Sequence, residues 1–466
     1  MQHKMAYIWG LTGNYVPSFI HLLANIVLAN FLTPDDFGTI GVVTIIFSVA
    51  NVLINSGLGG SLIKEREISK LDCSTIAAFN SIVGLLFFFT VFFTAELWES
   101  YFGIESLKTI IQVLSFTFLI GPLGMVPKAL MNRDLKFGAI TIVTVISVLG
   151  ASIVAIIMAV LGCGVWSLVV FQLVNSTVMV LASCFYCRYI VSFKFSWNSF
   201  KRLFSFGFFT TFTSVIDTFY ENLITTLTGK YLNVTHAGCL SQAKKLEEAL
   251  TISMASAIGN VSFPIITKLK DDIHEFKKEC FSVYKVIPLI SYPLLLMIAA
   301  FSTEIVELIF GKQWRLAGPY LTALIFAGLL IILETLIRSF IKSFCEVKKL
   351  AVATLIKRSL GILVLVVAII IRPESIAYAY ILSSLVGLIV NAWLFHRLLS
   401  VSLWELTWRT LYVIVPSLVV YLVVTLFVKT ITANLPIQIG LSIFAVGVYY
   451  LMVLPLFNVS LIGRKK

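Results

Sequence analysis

Stretches of about twenty apolar residues recur along the whole chain, and no other feature restricts its fold so tightly. A run of that length spans a bilayer as a helix, because lipid leaves the backbone no partner but itself. Apolar content places fourteen spans, near 6–31, 37–60, 74–95, 107–127, 139–162, 164–186, 208–230, 237–262, 286–309, 319–341, 350–371, 375–396, 410–430 and 437–458. Hydrophobic residues at 59%, charged residues at 12% and a mean hydropathy of +0.98 agree with an all-α integral membrane protein.

The loops then give orientation. If the N-terminus is inside, one face of the membrane collects nearly all the basic residues, from Lys64, Arg66 and Lys70 to Arg464, Lys465 and Lys466. The other face receives Lys108, Lys230, Lys312, Arg315, Arg372 and Lys429. That asymmetry places both termini in the cytoplasm and supports an even number of spans. The net charge of +12 is therefore a topology signal. With no basic patch interleaved with exposed aromatics on a soluble domain, no nucleic-acid partner is expected. Lys4 precedes a long apolar stretch without a small-x-small cleavage site, so the first span is expected to be retained. Seven cysteines are scattered over spans and inner loops; Cys184 and Cys187 have CxxC spacing but no second ligand pair, so no metal is expected.

Inside this apolar frame lie polar residues at helical spacing. Thr210, Ser214, Asp217, Glu221, Thr225 and Thr228 follow one another at steps of three or four, so they share one face of the seventh span. An ionised carboxylate at bilayer depth costs at least ~2.5–3.5 kcal/mol unless it meets water or a partner. The eighth span brings Lys244, Lys245, Glu247 and Glu248 to similar depth. A neutralised packing contact between neighbouring helices would satisfy these groups, and so would a water-filled substrate path. The stripe is much longer than one ion pair needs, which favours the path. The first span carries Asn14, Ser18, His21 and Asn25, the second Thr44, Ser48, Asn51 and Asn55, at the same steps. Hydrogen bonding across a helix interface is the simpler account of these two, and His21 alone reads as a satisfied core histidine rather than a proton carrier.

The stripes sit in a repeated frame. Residues 31–38, FLTPDDFG, and 231–238, YLNVTHAG, share an aromatic residue, a Leu and a terminal Gly at an offset of 200 residues. Each leads into a long helix that ends at a basic inner loop. This indicates two halves of six helices, 1–186 and 208–400, joined by a basic, aromatic segment, 187–207, with two further spans and a basic tail in 401–466. The joining segment reads equally as an amphipathic linker on the inner membrane surface or as a solvated connector. The charged run 268–285 reads as a short surface helix in contact with anionic lipid. In the tenth span Glu334, Arg338 and Lys342 recur every four residues; Arg338 either pairs with Glu334 or, with Lys244 or Lys245, offers positive charge to an anionic ligand, since its fork matches phosphate oxygens.

LTPDDFGTIG (32–41), NSGLGGSLIKE (55–65), ALMNRDLKFG (129–138), the run from Phe204 to Glu248, NVSFPIITKL (260–269) and FGKQWRLAGPYL (310–321) together resemble the polysaccharide-transport branch of the MOP exporter superfamily, the Wzx-type flippases. The resemblance covers about 1–400 in order and spacing. It implies two six-helix bundles in a V-shaped, MATE-like arrangement, plus two C-terminal helices, in a bacterial inner membrane. The implied activity is translocation of undecaprenyl-pyrophosphate-linked oligosaccharide repeat units of O-antigen, capsule or exopolysaccharide by alternating access. The alternative is a cation-coupled multidrug exporter. Relatives often have an Asn-Leu-Asp-like run where this chain has Asn222-Leu223-Ile224, so no ion-binding role passes to a particular acid. No Walker-type signature is present, so no nucleotide cofactor is expected, and Na+ or H+ or substrate flux supplies the energy. The short outer loops exclude the large extracytoplasmic loop that a glycosyltransferase or polymerase needs, so the chain is expected not to be an enzyme, with a polysaccharide polymerase as a partner. The expected cavity residues are Asn14, Ser18, His21, Asn25, Thr44, Ser48, Asn51, Asn55, Asp217, Glu221, Lys244, Lys245, Glu248 and Arg338.

Overall fold

In the computed structural model the backbone is described for residues 2–55, 58–65, 67–189, 192–269, 272–344, 347–428, 430 and 434–456. Side chains are described for the same residues except 2–15, 58, 64, 205–210, 252–265, 267, 268, 347, 348, 413 and 453–456. Apart from short turns, the described backbone is helical, with no strand among the described residues. In chain order the helices are α1 (Gln2–Phe31), α2 (Pro34–Asn55), α3 (Leu58–Lys64), α4 (Lys70–Phe102), α5 (Leu107–Ser115), α6 (Thr117–Arg133), α7 (Phe137–Val160), α8 (Trp166–Cys187), α9 (Trp197–Tyr231) and α10 (Val234–Lys268). They continue as α11 (Ile273–Ala300), α12 (Ser302–Phe310), α13 (Ala317–Phe344), α14 (Val347–Ile371), α15 (Ile376–Leu399), α16 (Leu403–Val423) and α17 (Leu435–Leu456). Among the described residues, 11 helical stretches are long and apolar enough to cross a membrane.

The chain forms two units, 1–241 with 309–313, and 242–308 with 314–466. In the first unit α2 packs against α9, α1 against α7, and α6 and α7 against α8. One core of this unit holds Val42, Phe47, Ile54, Leu107, Ile110, Leu114 and Phe118, with the Phe47 and Phe118 rings stacked at 5.1 Å. Large side chains outside that core, such as Phe93, Leu97 and Leu161, are exposed, as a lipid-facing surface requires. In the second unit α13 packs against α11 and α15, and α14 against α15. Tyr292 of α11 donates a hydrogen bond to the Leu329 carbonyl of α13, so a buried phenol finds its partner in the backbone of the next helix.

Two charged segments read as surface pieces are instead parts of long helices. Residues 197–207 open α9 without a break. Ser196 caps it, accepting the Ser199 N–H at 3.4 Å, and Leu203 is fully buried. Arg202 reaches back to Asp72 of α4 at 2.8 Å, and Ser61 of α3 donates to the Leu203 carbonyl at 2.7 Å. Arg202, one of the basic residues that broke the apolar pattern, thus ties the helix down. Likewise, α11 begins at Ile273, with Asp272 accepting the N–H groups of His274 and Glu275 at 3.0 and 3.1 Å. The span read as 286–309 ends at Ala300, and a separate short helix follows.

Several of the recognised motifs carry identifiable structural tasks. In LTPDDFG, the Thr33 N–H and hydroxyl both donate to Asp36 Oδ2 at 2.8 Å, and the Asp36 N–H returns a bond to Thr33 at 3.3 Å. That is a reciprocal N-terminal cap, with Pro34 at the first helical position. In FGKQW, the Gln313 amide donates to the carbonyls of Ala29 and Leu32, both at 3.1 Å, satisfying acceptors at the end of α1. In MNRDLKF, Leu135 takes φ +54 to turn the chain from α6 into α7. Lys136 pairs there with Asp134 at 3.0 Å, which holds its ammonium above the ordinary lysine value.

Candidate functional site

Spacing alone gives α9 its polar face, and the structure shows that this face changes character along the helix. Toward its C-terminal end it is closed against α2. Thr225 and Thr228 are buried, the Thr228 hydroxyl donates to its own Ile224 carbonyl at 2.8 Å, and Thr226 donates to the Val42 carbonyl of α2 at 3.2 Å. Toward the middle it opens. Asp217 is half-buried, and Ser214 and Glu221 are exposed. Thr210 lies outside the described side chains.

The stripes of α1 and α2 divide in the same way. Asn25 is buried, and its amide donates to Nδ1 of His21 at 2.9 Å and to the His21 carbonyl at 3.0 Å. The His21 ring meets Phe171 of α8 edge-on at 5.3 Å. His21 is thus held by a neighbour on its own helix and by an aromatic ring, as expected of a packed histidine. Ser18 and Asn55 are exposed, and Thr44, Ser48 and Asn51 are half-buried. Thr44 donates to the Ile40 carbonyl at 2.7 Å and Asn55 to that of Asn51 at 2.8 Å, so both are satisfied within α2. Asn14 lies outside the described side chains.

The two repeated turns meet. Asn233 caps α10 by accepting the His236 N–H at 2.8 Å, as Thr33 caps α2 with Asp36. Thr235 donates to Asp35, its counterpart at the 200-residue offset. A Cβ on Gly38 would run into the Val234 carbonyl, and one on Gly238 into the Pro34 carbonyl. These contacts exchange under that same offset, so each turn presses on the other through the same positions. Only glycine leaves room for backbone to approach this closely.

In the second unit, Lys244 lies 3.6 Å from Glu248 on the next turn of α10, and both are partly open, as is Lys245. Glu247 is buried and accepts the Thr251 hydroxyl at 2.6 Å. Arg338 of α13 is half-buried. The acid one turn before it, Glu334, is engaged elsewhere, by a group that the periodic pattern of α13 could not reveal. Lys357, one of the basic residues that the charge count assigns to the inner face, lies in α14, only 3% exposed, and forms an ion pair with Glu334, itself 8% exposed. Asn391 of α15, 1% exposed, donates to the same carboxylate oxygen at 3.2 Å. Gly387 lies one turn before Asn391 and leaves space for the carboxylate; a Cβ there would stand 2.9 Å from Glu334 Oε2. Three helices are thus joined through one buried carboxylate.

Chains of known kind agree with this architecture. The lipid II flippase MurJ, in its inward closed conformation, superposes with a TM-score of 0.76 at 14% identity, over 97% of this chain and 99% of that one. An inward-facing multidrug MATE transporter of the MOP superfamily reaches 0.63 at 13% identity, over 83% and 96%. Those likenesses establish the fold. In sequence, the lipopolysaccharide biosynthesis protein WzxC of Escherichia coli (strain K12) is 27% identical over 324 residues, which is 69% of this chain and 66% of that protein's own length. The sequence pattern of the family described as "Polysaccharide biosynthesis protein" matches residues 27–319, well over half of the chain. The chain is therefore a member of the polysaccharide biosynthesis protein family.

Proposed function

We propose that this chain is a flippase that carries lipid-linked oligosaccharide repeat units across a bacterial inner membrane by alternating access, with both termini in the cytoplasm. We further propose fourteen spans, the stretches able to cross by length and composition together with α1, α9 and α10, arranged as two six-helix repeats followed by two C-terminal helices. The reciprocal contact of the two glycine-bearing turns supports the duplication. Membership of the family and the relation to WzxC support the substrate class.

The observation that carries the proposal is the opening of the α9 face around Asp217 and Glu221. Those carboxylates sit in the middle of a 35-residue helix, where exposure to lipid would cost at least ~2.5–3.5 kcal/mol for each charge. Water along that face removes the cost and provides the polar path a glycan needs. In this reading Ser18, Thr44, Ser48, Asn51, Asn55, Asp217 and Glu221 contact sugar hydroxyls and water. Lys244, Lys245 and Arg338, with Glu248 tuning their charge, serve the diphosphate. Na+ or H+ is the coupling ion, and a polysaccharide polymerase receives the product. The multidrug alternative shares the fold but lacks the family match.

The test uses a strain lacking its own flippase and complemented by this chain. Asp217→Asn with Glu221→Gln should abolish surface glycan display while membrane protein level and thermal stability stay within the wild-type range. Equal loss of display and of folded protein would assign the two acids to packing and remove the argument for a wet path.

A further inference from the structure

The second unit carries a concavity unrelated to the polar residues above. It lies on the outer surface of α14 and α15, with a volume of about 710 Å³. That is within the range of roughly 300–1,000 Å³ usual for small-ligand sites. Val352, Ala353 and Ile356 of α14 and Ile389 and Trp393 of α15 form most of its wall, and Lys349 and Arg397 close one end. Lys349 lies in the first turn of α14 and Arg397 in the last turn of α15, so both mark the same end of the helix pair. Among the described residues, no Asp or Glu lines the groove. The Arg397 guanidinium stacks over the Trp393 ring at 4.6 Å, which fixes the fork at the mouth while leaving its outer N–H groups available. Lys357 lies eight residues beyond Lys349 on α14, but its ammonium is buried against Glu334, so it takes no part.

We infer that this groove is a binding site for an anionic phospholipid of the surrounding bilayer, with the headgroup phosphate on Lys349 and Arg397 and an acyl chain along Val352, Ile356 and Ile389. Charge complementarity selects this occupant. The apolar wall takes any hydrocarbon, whereas two cations at one end, with no acid among the described lining residues, discriminate against zwitterionic headgroups. Basic pockets between transmembrane helices at one face of a membrane hold anionic headgroups in this way, and tryptophan favours the same interfacial depth. The site is independent of the flippase reading, because its occupant is host lipid rather than cargo.

The purified full chain in uncharged detergent tests the assignment. Phosphatidylglycerol or phosphatidylcholine is added, and bound lipid is counted by native mass spectrometry, with the unfolding midpoint read in parallel. The wild type should retain phosphatidylglycerol in preference to phosphatidylcholine and be stabilised by it. Lys349→Gln with Arg397→Gln, which removes both phosphate contacts at exposed positions, should lower phosphatidylglycerol affinity by about thirtyfold. Ile389→Trp keeps both charges and fills the channel, so it should also lower retention, whereas Lys349→Arg should preserve it. The assignment is overturned if the wild type shows no anionic preference or if the preference survives in both impaired variants. Capture of a polyprenyl phosphate at this groove in place of phosphatidylglycerol would also overturn it.

Discussion

Removing Lys357 alone should do more damage than removing it together with its partner. In the wild type, Glu334 Oε1 receives Lys357 and Asn391, while Oε2 sits against Gly387. Both charged residues are almost wholly withdrawn from solvent, so their screening is small. Lys357→Met keeps most of the side-chain volume but leaves a buried carboxylate with Asn391 as its one remaining hydrogen-bond donor among those seen. Breaking a buried pair from one side costs about 3–5 kcal/mol. In a unit of this size a kilocalorie lowers the unfolding midpoint by roughly 2–4 °C, so the single variant should melt roughly 6–20 °C lower. Glu334→Gln with Lys357→Met removes both charges and keeps a group for Asn391 to bond. Replacing a buried pair by neutral residues of similar volume is often neutral or stabilising. The double variant should therefore recover most of the loss. Thermal unfolding in detergent, followed by tryptophan emission, reads the difference, since Trp314 is fully buried in the same unit. A single variant within about 3 °C of wild type, or a double variant as unstable as the single, would refute the view that this pair holds three helices together.

Two other features give direct readouts. The repeated turns predict that Asp35→Cys with Thr235→Cys forms a disulfide under mild oxidant, visible as a mobility shift that reductant reverses, because the two native side chains hydrogen-bond to each other. Gly238→Ala should prevent the turns from closing and lower that cross-linking, at an overpacking cost of about 1–3 kcal/mol, whereas Gly41→Ala, whose Cβ would come no closer than 3.1 Å to any neighbour, the Thr225 methyl, should retain it. Tyr189, just beyond α8, has its phenol pushed up to about 12 by burial, from the usual 10. The unfolded chain therefore gives up this proton first as pH rises, and the stability from keeping it neutral is present below pH 10 and is lost between 10 and about 12. Tyr189→Phe should remove both the late-ionising phenol from an ultraviolet difference titration and that part of the alkaline loss.

What the sequence revealed and what it concealed divide according to the range of the interaction. The offset of 200 residues and the mid-helix acids of α9 are local or periodic, and both could be read without coordinates. The start of α9 could not, because Lys201 and Arg202 look like the edge of a span until Asp72, 130 residues earlier, turns out to receive the arginine. Lys357 was hidden for the same reason. Charge counting places a lysine near other basic residues in a loop, whereas the carboxylate that allows it to be buried is on another helix, 23 residues away. Helical spacing offered Glu334 as one of two possible partners for Arg338 because it compares residues only along one helix. The structure shows Glu334 committed across helices instead, to Lys357 of α14 and Asn391 of α15. On the proposed reading, in which Arg338 serves the diphosphate, neutralising Arg338 should depress transport much more than stability, the reverse of what is expected at Lys357.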